Sequence, residues 1–352
     1  MNKLILTAFA GFLASTAISS AGGLDRTTRS VGLLFEKGTR AELSYSLVAP
    51  TISGTNPATF ATGNMANQYT LLRGGYKTDL GDRLSLAVIV DQPFGIDSRY
   101  STGFYTNTFM KMRSNAVTLL ASYDVTDRIA VFGGGVAQRT SINAAVPLAL
   151  GYTATMANDT GYGYVLGAAY QIPDRDLRVA LTYHSEIDTS HDTVESFGGP
   201  AITSTTNITT PQSVNLEFQA GINPKTMLFG SVLWADWSKF KVQPATFPGP
   251  EALFATAHDS ITYTLGVERK VSDKLVLELA LSYEKGYSDN PHHLSPYSGF
   301  VGVGVGATYN LSENTEISGN VNYRALGDVA GVAGNFANNH STSIGIKISH
   351  TF

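Results

Sequence analysis

The chain has 352 residues, of which 43% are hydrophobic and 15% charged, and its formal net charge is −4. This composition excludes a disordered chain and a helical membrane protein, and the slightly acidic balance argues against nucleic acid as a partner. The absence of cysteine excludes disulfides and thiolate metal sites.

The N-terminus has the pattern of an export signal. Lys3 supplies positive charge, residues 4–18 form an apolar core, and small residues follow up to Ala21. The pattern predicts a signal peptide over residues 1–21, cleaved before Gly22. The alternative is a membrane anchor, but the core is short for a membrane span. A secreted soluble protein and an outer-membrane protein of a Gram-negative bacterium are both compatible with export.

Residues 22–37 lack strand alternation and predict a short N-terminal segment that packs against the rest of the protein. From residue 38 to residue 352, strand-like stretches are separated alternately by short and long connections. The short ones are rich in turn-forming and charged residues and lie at 79–83, 126–128, 173–176, 223–225, 272–274 and 312–314. The long ones lie at about 50–64, 96–109, 143–158, 189–210, 241–257, 288–295 and 327–337.

Six short and seven long connections predict fourteen strands. Short turns on one side and long loops on the other are typical of an outer-membrane barrel, with both chain ends at the periplasmic side. The sequence therefore predicts an all-β fold, a transmembrane antiparallel β-barrel over residues 38–352.

The two faces of the predicted strands agree with this fold. Apolar residues alternate with Glu278, Ser282 and Glu284 in one strand, and with Asn320 and Asn322 in another. A soluble β-sandwich also alternates, but polar residues recurring inside long strands favour a polar lumen. The terminal Phe352 follows an alternating strand, as in the signal that barrel-assembly machinery recognises, although His350 departs from it.

The strand starting at Leu84 alternates up to Val90 and then reaches Asp91-Gln92-Pro93-Phe94-Gly95. Proline has no N–H to donate to a ladder. We expect the ladder to be interrupted here and to open a lateral path beside Phe94. The alternative is that Pro93 merely ends the strand at an outer loop.

Three segments together resemble the FadL/TodX family of outer-membrane transporters of long-chain fatty acids and other hydrophobic compounds. The stretch 84–100 is similar to the third strand of the family. Residues 211–240, with Pro211, Ser213 and a closing Trp237-Ser238-x-Phe240, resemble a following strand pair. Residues 261–287 resemble the next hairpin. The resemblance covers essentially the whole mature chain.

The resemblance implies a barrel plugged by its own N-terminal segment, the hatch, here Gly22–Lys37. The hatch would be shorter than usual, and Asn56-Pro57-Ala58, which is similar to a hatch motif of the family, lies in the first long loop. Ligand would be captured by outer loops and released sideways at the third strand. The implied partners are a hydrophobic small molecule such as a long-chain fatty acid, outer-membrane lipid and lipopolysaccharide, and the implied state is a monomer.

Candidate ligand-binding residues come from the interrupted strand and from apolar positions in the loops, which rarely carry much apolar area without a partner. The alternative for the loop residues is packing of the loops on one another over the barrel mouth. The candidates are Asp91, Pro93, Phe94, Phe104, Leu148, Leu150, Phe247 and Phe254.

The sequence contains no recognisable enzyme motif and predicts neither a cofactor nor a metal site. Hydrophobic-compound transport is the first functional hypothesis. A water-filled general porin and a surface adhesin or structural barrel are the alternatives. Single-channel conductance separates the first two, because a plugged transporter passes little steady current.

Overall fold

The computed structural model describes residues 24–56, 60–249, 251–256, 258–287, 292–331 and 334–352. The predicted signal peptide, and Pro57 and Ala58 of the Asn-Pro-Ala sequence, lie outside the described residues. Among the residues that are described, no helix is long and apolar enough to cross a membrane.

The chain forms a closed antiparallel β-barrel of fourteen strands, which confirms the predicted fold. Three strands are interrupted and consist of a lower, periplasmic part and an upper, extracellular part. In chain order the strands are β1 Arg40–Thr51, β2 Tyr69–Leu80, β3 Leu84–Asp91 with Gly95–Arg99, β4 Phe109–Thr126, β5 Ile129–Val146, β6 Tyr152–Ile172, β7 Leu177–His184 with Ile187–Ser196, β8 Ile202–Thr210 with Ser213–Asn223, β9 Thr226–Ala235, β10 Ser260–Lys270, β11 Leu275–Glu284, β12 Phe300–Asn310, β13 Thr315–Leu326 and β14 His340–Thr351.

Pairing of β1 with β14 closes the barrel, from Arg40 opposite Thr351 to Thr51 opposite His340. Short strands lie in the connections. Lys241–Val242 pairs with Phe254–Ala255, and Gly334–Phe336 pairs with both Gly54–Thr55 and Val329–Gly331. Two 3-10 helices are present in the described part of the chain, Gly32–Phe35 and Pro173–Arg175.

The six short turns lie where the sequence predicts them, but two predicted long loops are wrong. Strands β5 and β6 continue through most of residues 143–158, leaving only 147–151 as the connection, and β7 and β8 are joined by 197–201. The third strand also resumes at Gly95 and continues to Arg99, inside the predicted loop 96–109. The outer faces of these upper strand parts are mainly polar. Their inner faces are apolar in β5 and β6, at Ile142, Ala144, Ala154 and Met156, but largely polar in β7, at Thr189, His191, Thr193 and Glu195.

The outer face of the barrel carries an apolar belt on its periplasmic side. In β11, Leu277, Leu279 and Leu281 are about half exposed, and Val301, Val303 and Val305 of β12 lie beside them. Such a belt matches hydrocarbon, and exposed tyrosines flank it as in other outer-membrane barrels. Tyr123 and Tyr309 lie near the periplasmic turns, and Tyr283 and Tyr323 near the upper edge.

The interior has a lower and an upper level. The lower level, inside the belt, is polar on the β10–β14 side, at Glu268, Glu278, Asn320 and Ser343, and apolar on the β3–β7 side. The upper level is filled by an apolar cluster that includes Met110, Met112, Ile142, Tyr152, Met156, Trp237, Phe240, Leu253, Phe254 and Leu294. Apolar side chains therefore fill the part of the barrel that extends beyond the membrane.

The N-terminal segment lies inside the barrel between these two levels. Residues 24–31 are buried, and the 3-10 helix places Leu33 and Leu34 in an apolar cluster with Ile89 and Leu120 of the wall. Hydrogen bonds hold the segment to two sides of the barrel. Arg73 and Lys77 of β2 donate to the carbonyls of Ser30 and Glu36, and Asn215 and Glu217 of β8 contact Thr28 and Ser30.

Candidate ligand route

The wall of the barrel is interrupted at Gln92-Pro93-Phe94, as the sequence predicts. The pairing of β3 with β2 ends at Val90 opposite Gly74. On the other side, β3 keeps its pairing with β4 up to Asp91 and resumes it at Gly95. The break is therefore one-sided, and it separates β3 from β2.

The N-terminal segment covers this break from within. The backbone N–H of Arg26 donates to the Pro93 carbonyl at 2.8 Å, and the N–H of Gly95 donates to the Leu24 carbonyl at 2.8 Å. Asp25 thereby pairs with Phe94 as in an antiparallel bridge. Because an unpaired backbone group in hydrocarbon costs several kcal/mol, about 2–7 by transfer data, this pairing stabilises an interruption that lipid alone cannot satisfy.

Gln92 partly bridges the same break on its outer side. Its Oε1 accepts a hydrogen bond from the N–H of Leu72 at 3.2 Å, and its Nε2 donates to Asn115 at 3.3 Å. A flexible side chain therefore spans the gap between β2 and β3 in place of a backbone ladder.

A cavity adjoins the break on the inside. Counted with its opening to solvent it has a volume of about 550 Å³. Arg29, Ser30 and Val31 of the N-terminal segment line one side of it. Its remaining lining is mixed and comes from several strands: Ile89, Asp91, Pro93, Phe94, Ala116, Thr118, Val136, Gln138, Tyr164, His184, Ser185, Ile187, Thr210 and Pro211.

Phe94 joins this cavity to the apolar cluster of the upper level. Its ring is 5.7 Å from that of Trp237 in an edge-to-face arrangement, and the Arg29 guanidinium lies 4.7 Å from its centre. Arg29 also forms a buried ion pair with Asp25. The positive charge that faces Phe94 is thus neutralised within the N-terminal segment.

The structure brings together five of the eight predicted ligand-binding residues. Asp91, Pro93 and Phe94 line the cavity. Phe254 is fully buried in the upper cluster, where Phe247 packs against it. Phe94 links the two groups, because it lines the cavity and also belongs to the upper cluster.

Phe104, Leu148 and Leu150 lie elsewhere. Their side chains are 51%, 52% and 76% exposed in the connections above the barrel. The structure gives these three residues no contact with the cavity, so their role in capturing ligand stays a prediction.

Several residues of the route escape the sequence prediction. Met110, Met112 and Ile142 form part of the upper cluster, and His184 and Pro211 line the cavity. The reversed alternation of β4 and β5 was available as a signal, since Lys111, Arg113 and Arg139 point outward there. His184 and Pro211 become neighbours of Pro93 only through barrel closure.

The extracellular histidine pair is buried against the upper cluster. His292 packs on Phe254 and His293 stacks on Tyr105, with ring centres 4.7 and 5.1 Å apart. Burial, with a smaller effect from His293, lowers the pKa of His292 to about 3, and burial lowers the pKa of His293 to about 4. Across the described residues, no group of three or more His, Asp or Glu side chains is placed to hold a metal ion.

The fold and the interior together define a class: an outer-membrane β-barrel that moves hydrophobic compounds rather than water-soluble ones. Residues 24–343 match the family model described as outer membrane protein transport protein (OMPP1/FadL/TodX). The chain therefore belongs to the OMPP1/FadL/TodX family. No curated protein sequence matches it significantly.

Solved structures show the same fold at low sequence identity. A FadL homologue of Pseudomonas aeruginosa is 15% identical with a TM-score of 0.73, covering 97% of this chain and 96% of that one. The toluene transporter TbuX of Ralstonia pickettii is 16% identical with a TM-score of 0.68, covering 91% and 90%. The toluene transporter TodX of Pseudomonas putida is 15% identical with a TM-score of 0.67, covering 90% of each chain.

Proposed function

We propose that the protein takes hydrophobic small molecules from the medium into the apolar upper level and releases them sideways through the wall beside Phe94. Long-chain fatty acids and monoaromatic hydrocarbons are the two ligand classes, since relatives are described as a FadL homologue and as toluene transporters. One observation carries the proposal. The interior is apolar above the membrane and, on the β10–β14 side, polar within it, and the wall is interrupted where the two levels meet.

The same arrangement supports a lateral rather than an axial route. A hydrophobic molecule in the upper cluster meets buried charged and polar groups below, with Glu268 and Glu278 almost fully buried. Moving it past these groups toward the periplasm is unfavourable because they lose solvation. Hydrocarbon lies much nearer, on the other side of the Gln92–Phe94 interruption.

The proposal assigns residues 22–37 the role of a hatch and residues 38–352 that of the barrel. The mature chain begins at Gly22 after removal of residues 1–21 and works as a monomer in the outer membrane, against lipid and lipopolysaccharide. Barrel-assembly machinery inserts it, reading the terminal strand that ends in Phe352. The burial of residues 24–31 within the lumen supports the hatch.

Filling the cavity tests the route. In a Gram-negative host without its own hydrophobic-compound transporters, Ile89→Trp should lower uptake of labelled toluene and oleate several-fold, because the larger ring occupies the cavity. Leu86→Trp, on the lipid-facing side of the same strand, is the matched control and should transport normally. Wild-type uptake by a correctly folded Ile89→Trp barrel would refute the route.

The interruption has its own test. Pro93→Ala should reduce uptake several-fold, since the restored N–H allows a more regular ladder across the break. The control is Pro147→Ala in the exposed turn between β5 and β6.

A water-filled porin, the alternative, predicts large steady conductance in planar bilayers, whereas the proposed transporter should show almost none.

A further inference from the structure

The wall has a second interruption, between β6 and β7. The two strands pair from Val165 opposite His184 down to the periplasmic turn, and again at the top, where Met156 lies opposite Thr193. Residues 157–164 of β6 and 185–192 of β7 form no ladder with each other, although both stretches are fully described. Strand β8 kinks at the same height, at Pro211-Gln212.

Substitute hydrogen bonds hold the two edges near each other. The N–H of Ser185 donates to the Tyr164 carbonyl at 2.9 Å, and the Ser185 hydroxyl accepts from the N–H of Tyr164 at 2.9 Å. Further up, the N–H of Ser190 donates to an Asp159 carboxylate oxygen at 2.7 Å. One backbone hydrogen bond and two side-chain hydrogen bonds therefore take the place of a ladder here, and the side chains act as Gln92 does at the first break.

The second break lies at the height where the outer surface changes from apolar to polar. Leu181 and Tyr183 face outward just below it, and Asp188 and Ser190 face outward just above it. His184 and Asp91 each end an eight-residue lower strand part that starts at a periplasmic turn. Both breaks are therefore level with the outer edge of the apolar belt.

One apolar side chain fills the second break. A Cβ atom added to Gly161 would lie 2.6 Å from a methyl carbon of Ile187, and one added to Gly163 would lie 2.7 Å from its Cγ1. Such distances are shorter than real contacts, so Ile187 occupies space that the two glycines leave empty. The Asp188 carbonyl oxygen lies closer still, 2.2 Å from a Cβ atom at Gly161, so the β7 backbone also packs directly on this glycine. The closure combines this packing with the few hydrogen bonds above and has no ladder.

The cavity beside Pro93 extends to this second break. Tyr164, Ser185 and Ile187 line it on one side, and Pro93 and Phe94 line it on the other. A molecule in the cavity is thus in contact with both interruptions of the wall. We propose that the β6–β7 break is a second lateral opening, through which a hydrophobic molecule passes between this cavity and the outer leaflet when Ile187 moves aside.

This inference rests on the proposed function for its role in transport, but the opening itself can be tested without transport. The chain has no cysteine, so single cysteines are unambiguous probes. Ser185→Cys, reconstituted in phosphatidylcholine vesicles, should react with membrane-dissolved pyrene maleimide at least tenfold faster than Thr182→Cys. Thr182 is fully buried in the paired part of β7, and lipid-facing Leu181→Cys is the positive control. Equal rates for Ser185→Cys and Thr182→Cys would overturn the opening.

A reversible crosslink tests whether transported molecules pass through the β6–β7 opening. A Cβ atom at residue 163 would lie 2.7 Å from the Ser185 Oγ, so Gly163→Cys with Ser185→Cys places two thiols for a disulfide across the break. Oxidation should lower toluene uptake at least twofold relative to the same protein after reduction. Ala168→Cys with Leu181→Cys, opposed in the intact ladder below, should show no such change.

The outcomes separate the two proposals. Rapid labelling of Ser185→Cys with a crosslink-sensitive uptake supports the second opening. Rapid labelling with uptake that the crosslink leaves unchanged overturns its role as a route. If the wild-type protein transports no toluene or oleate, the proposed function fails, while the labelling rates still decide whether the opening exists.

Discussion

Glu195 shows how single polar residues organise the extracellular part of this protein. It is fully buried near the extracellular end of β7, beside Tyr152 of the upper apolar cluster. Its carboxylate accepts hydrogen bonds from Tyr152 at 2.7 Å, from Ser204 at 2.6 Å, and from the N–H and hydroxyl of Thr246 at 3.0 and 2.7 Å. One carboxylate therefore connects β6, β7, β8 and the long connection after β9.

Glu195→Ala should loosen that long connection, residues 236–259. It leaves the buried Tyr152 hydroxyl without an acceptor, which costs about 1–3 kcal/mol. Limited proteolysis and hydrogen exchange should show faster opening of residues 241–249, and the barrel should remain heat-modifiable on gels. Glu251→Ala, an exposed residue of the same connection, is the control. Equal protection in the two variants would contradict the role given to Glu195.

Acid should destabilise the loop that holds His292 and His293. Both pKa values lie below the ordinary value of 6.5, at about 3 and about 4 in the folded protein. The folded state therefore binds fewer protons than the open loop between those values and 6.5. The contribution of the two histidines to the stability of the folded loop is therefore fully present above about pH 6.5 and declines as the pH falls toward 4.

Each histidine can contribute about 1.4 kcal/mol per pH unit in that range. Hydrogen exchange of residues 292–297 at pH 7.5 and pH 5 measures the effect. Exchange, corrected for its intrinsic pH dependence, should be faster at pH 5 in the wild type and nearly unchanged in His292→Phe/His293→Phe. A wild-type loop that is equally protected at both pH values would rule out this linkage.

Local chemistry explains which site residues the sequence could predict. Pro93 is identifiable because a missing N–H has a consequence in any strand, and Phe94 and Asp91 are its neighbours in sequence. His184, Ser185 and Ile187 line the same cavity, but they lie about ninety residues further along the chain. Only the closure of the barrel brings them near Pro93, and one sequence contains no signal of that distance.

At the scale of elements, the N-terminal segment connects two distant parts of the wall. Its backbone pairs with β3 at the break, Arg73 of β2 donates to the Ser30 carbonyl at 2.7 Å, and Asn215 of β8 donates to the Thr28 carbonyl at 3.2 Å. His184 contacts the Arg29 carbonyl at 3.1 Å. The N-terminal segment thus crosses the lumen and links opposite parts of the barrel wall.

Deleting residues 24–35 should raise ion conductance in planar bilayers well above the near-zero wild-type level, because it removes the buried backbone that fills the mid-lumen. Deleting Gly198 and Gly199 from the exposed turn between β7 and β8 is the control and should leave conductance low. If the two deletions conduct alike, the segment does not plug the barrel.

The strands also show where sequence periodicity succeeds and fails. Leu275–Glu284 and Thr315–Leu326 each begin directly after a predicted turn and end before a predicted long loop, because apolar residues face lipid and mainly polar residues face the lumen along their length. In the extracellular parts of β5 and β6 this arrangement is reversed, with polar residues outside and apolar residues inside. Strand β6 even changes the face that each parity occupies, at the irregularity near Ala157 and Asn158. If a strand is recognised only by apolar residues facing lipid and polar residues facing the lumen, a stretch in which these two faces exchange is mistaken for a loop.

At the scale of the whole molecule, the breaks do not weaken barrel closure. Pairing between β1 and β14 runs the full length of both strands, and β1 also pairs with β2 up to Val48 opposite Tyr69. Both interruptions lie away from this seam, in β3 and in β6–β8. The regular strands β9–β14 form a continuous, uninterrupted part of the wall.

The apolar belt described above also fixes a hydrophobic thickness. Its outward apolar residues run over nine positions in β11 and β12, from Leu275 to Tyr283 and from Val301 to Tyr309. At about 3.3 Å per residue and a strand tilt of about 40°, nine residues span roughly 20 Å. This is thinner than the roughly 30 Å of an average bilayer. Refolding from urea should accordingly be faster in vesicles of twelve-carbon acyl chains than of eighteen-carbon chains, because thick bilayers must thin to meet the belt.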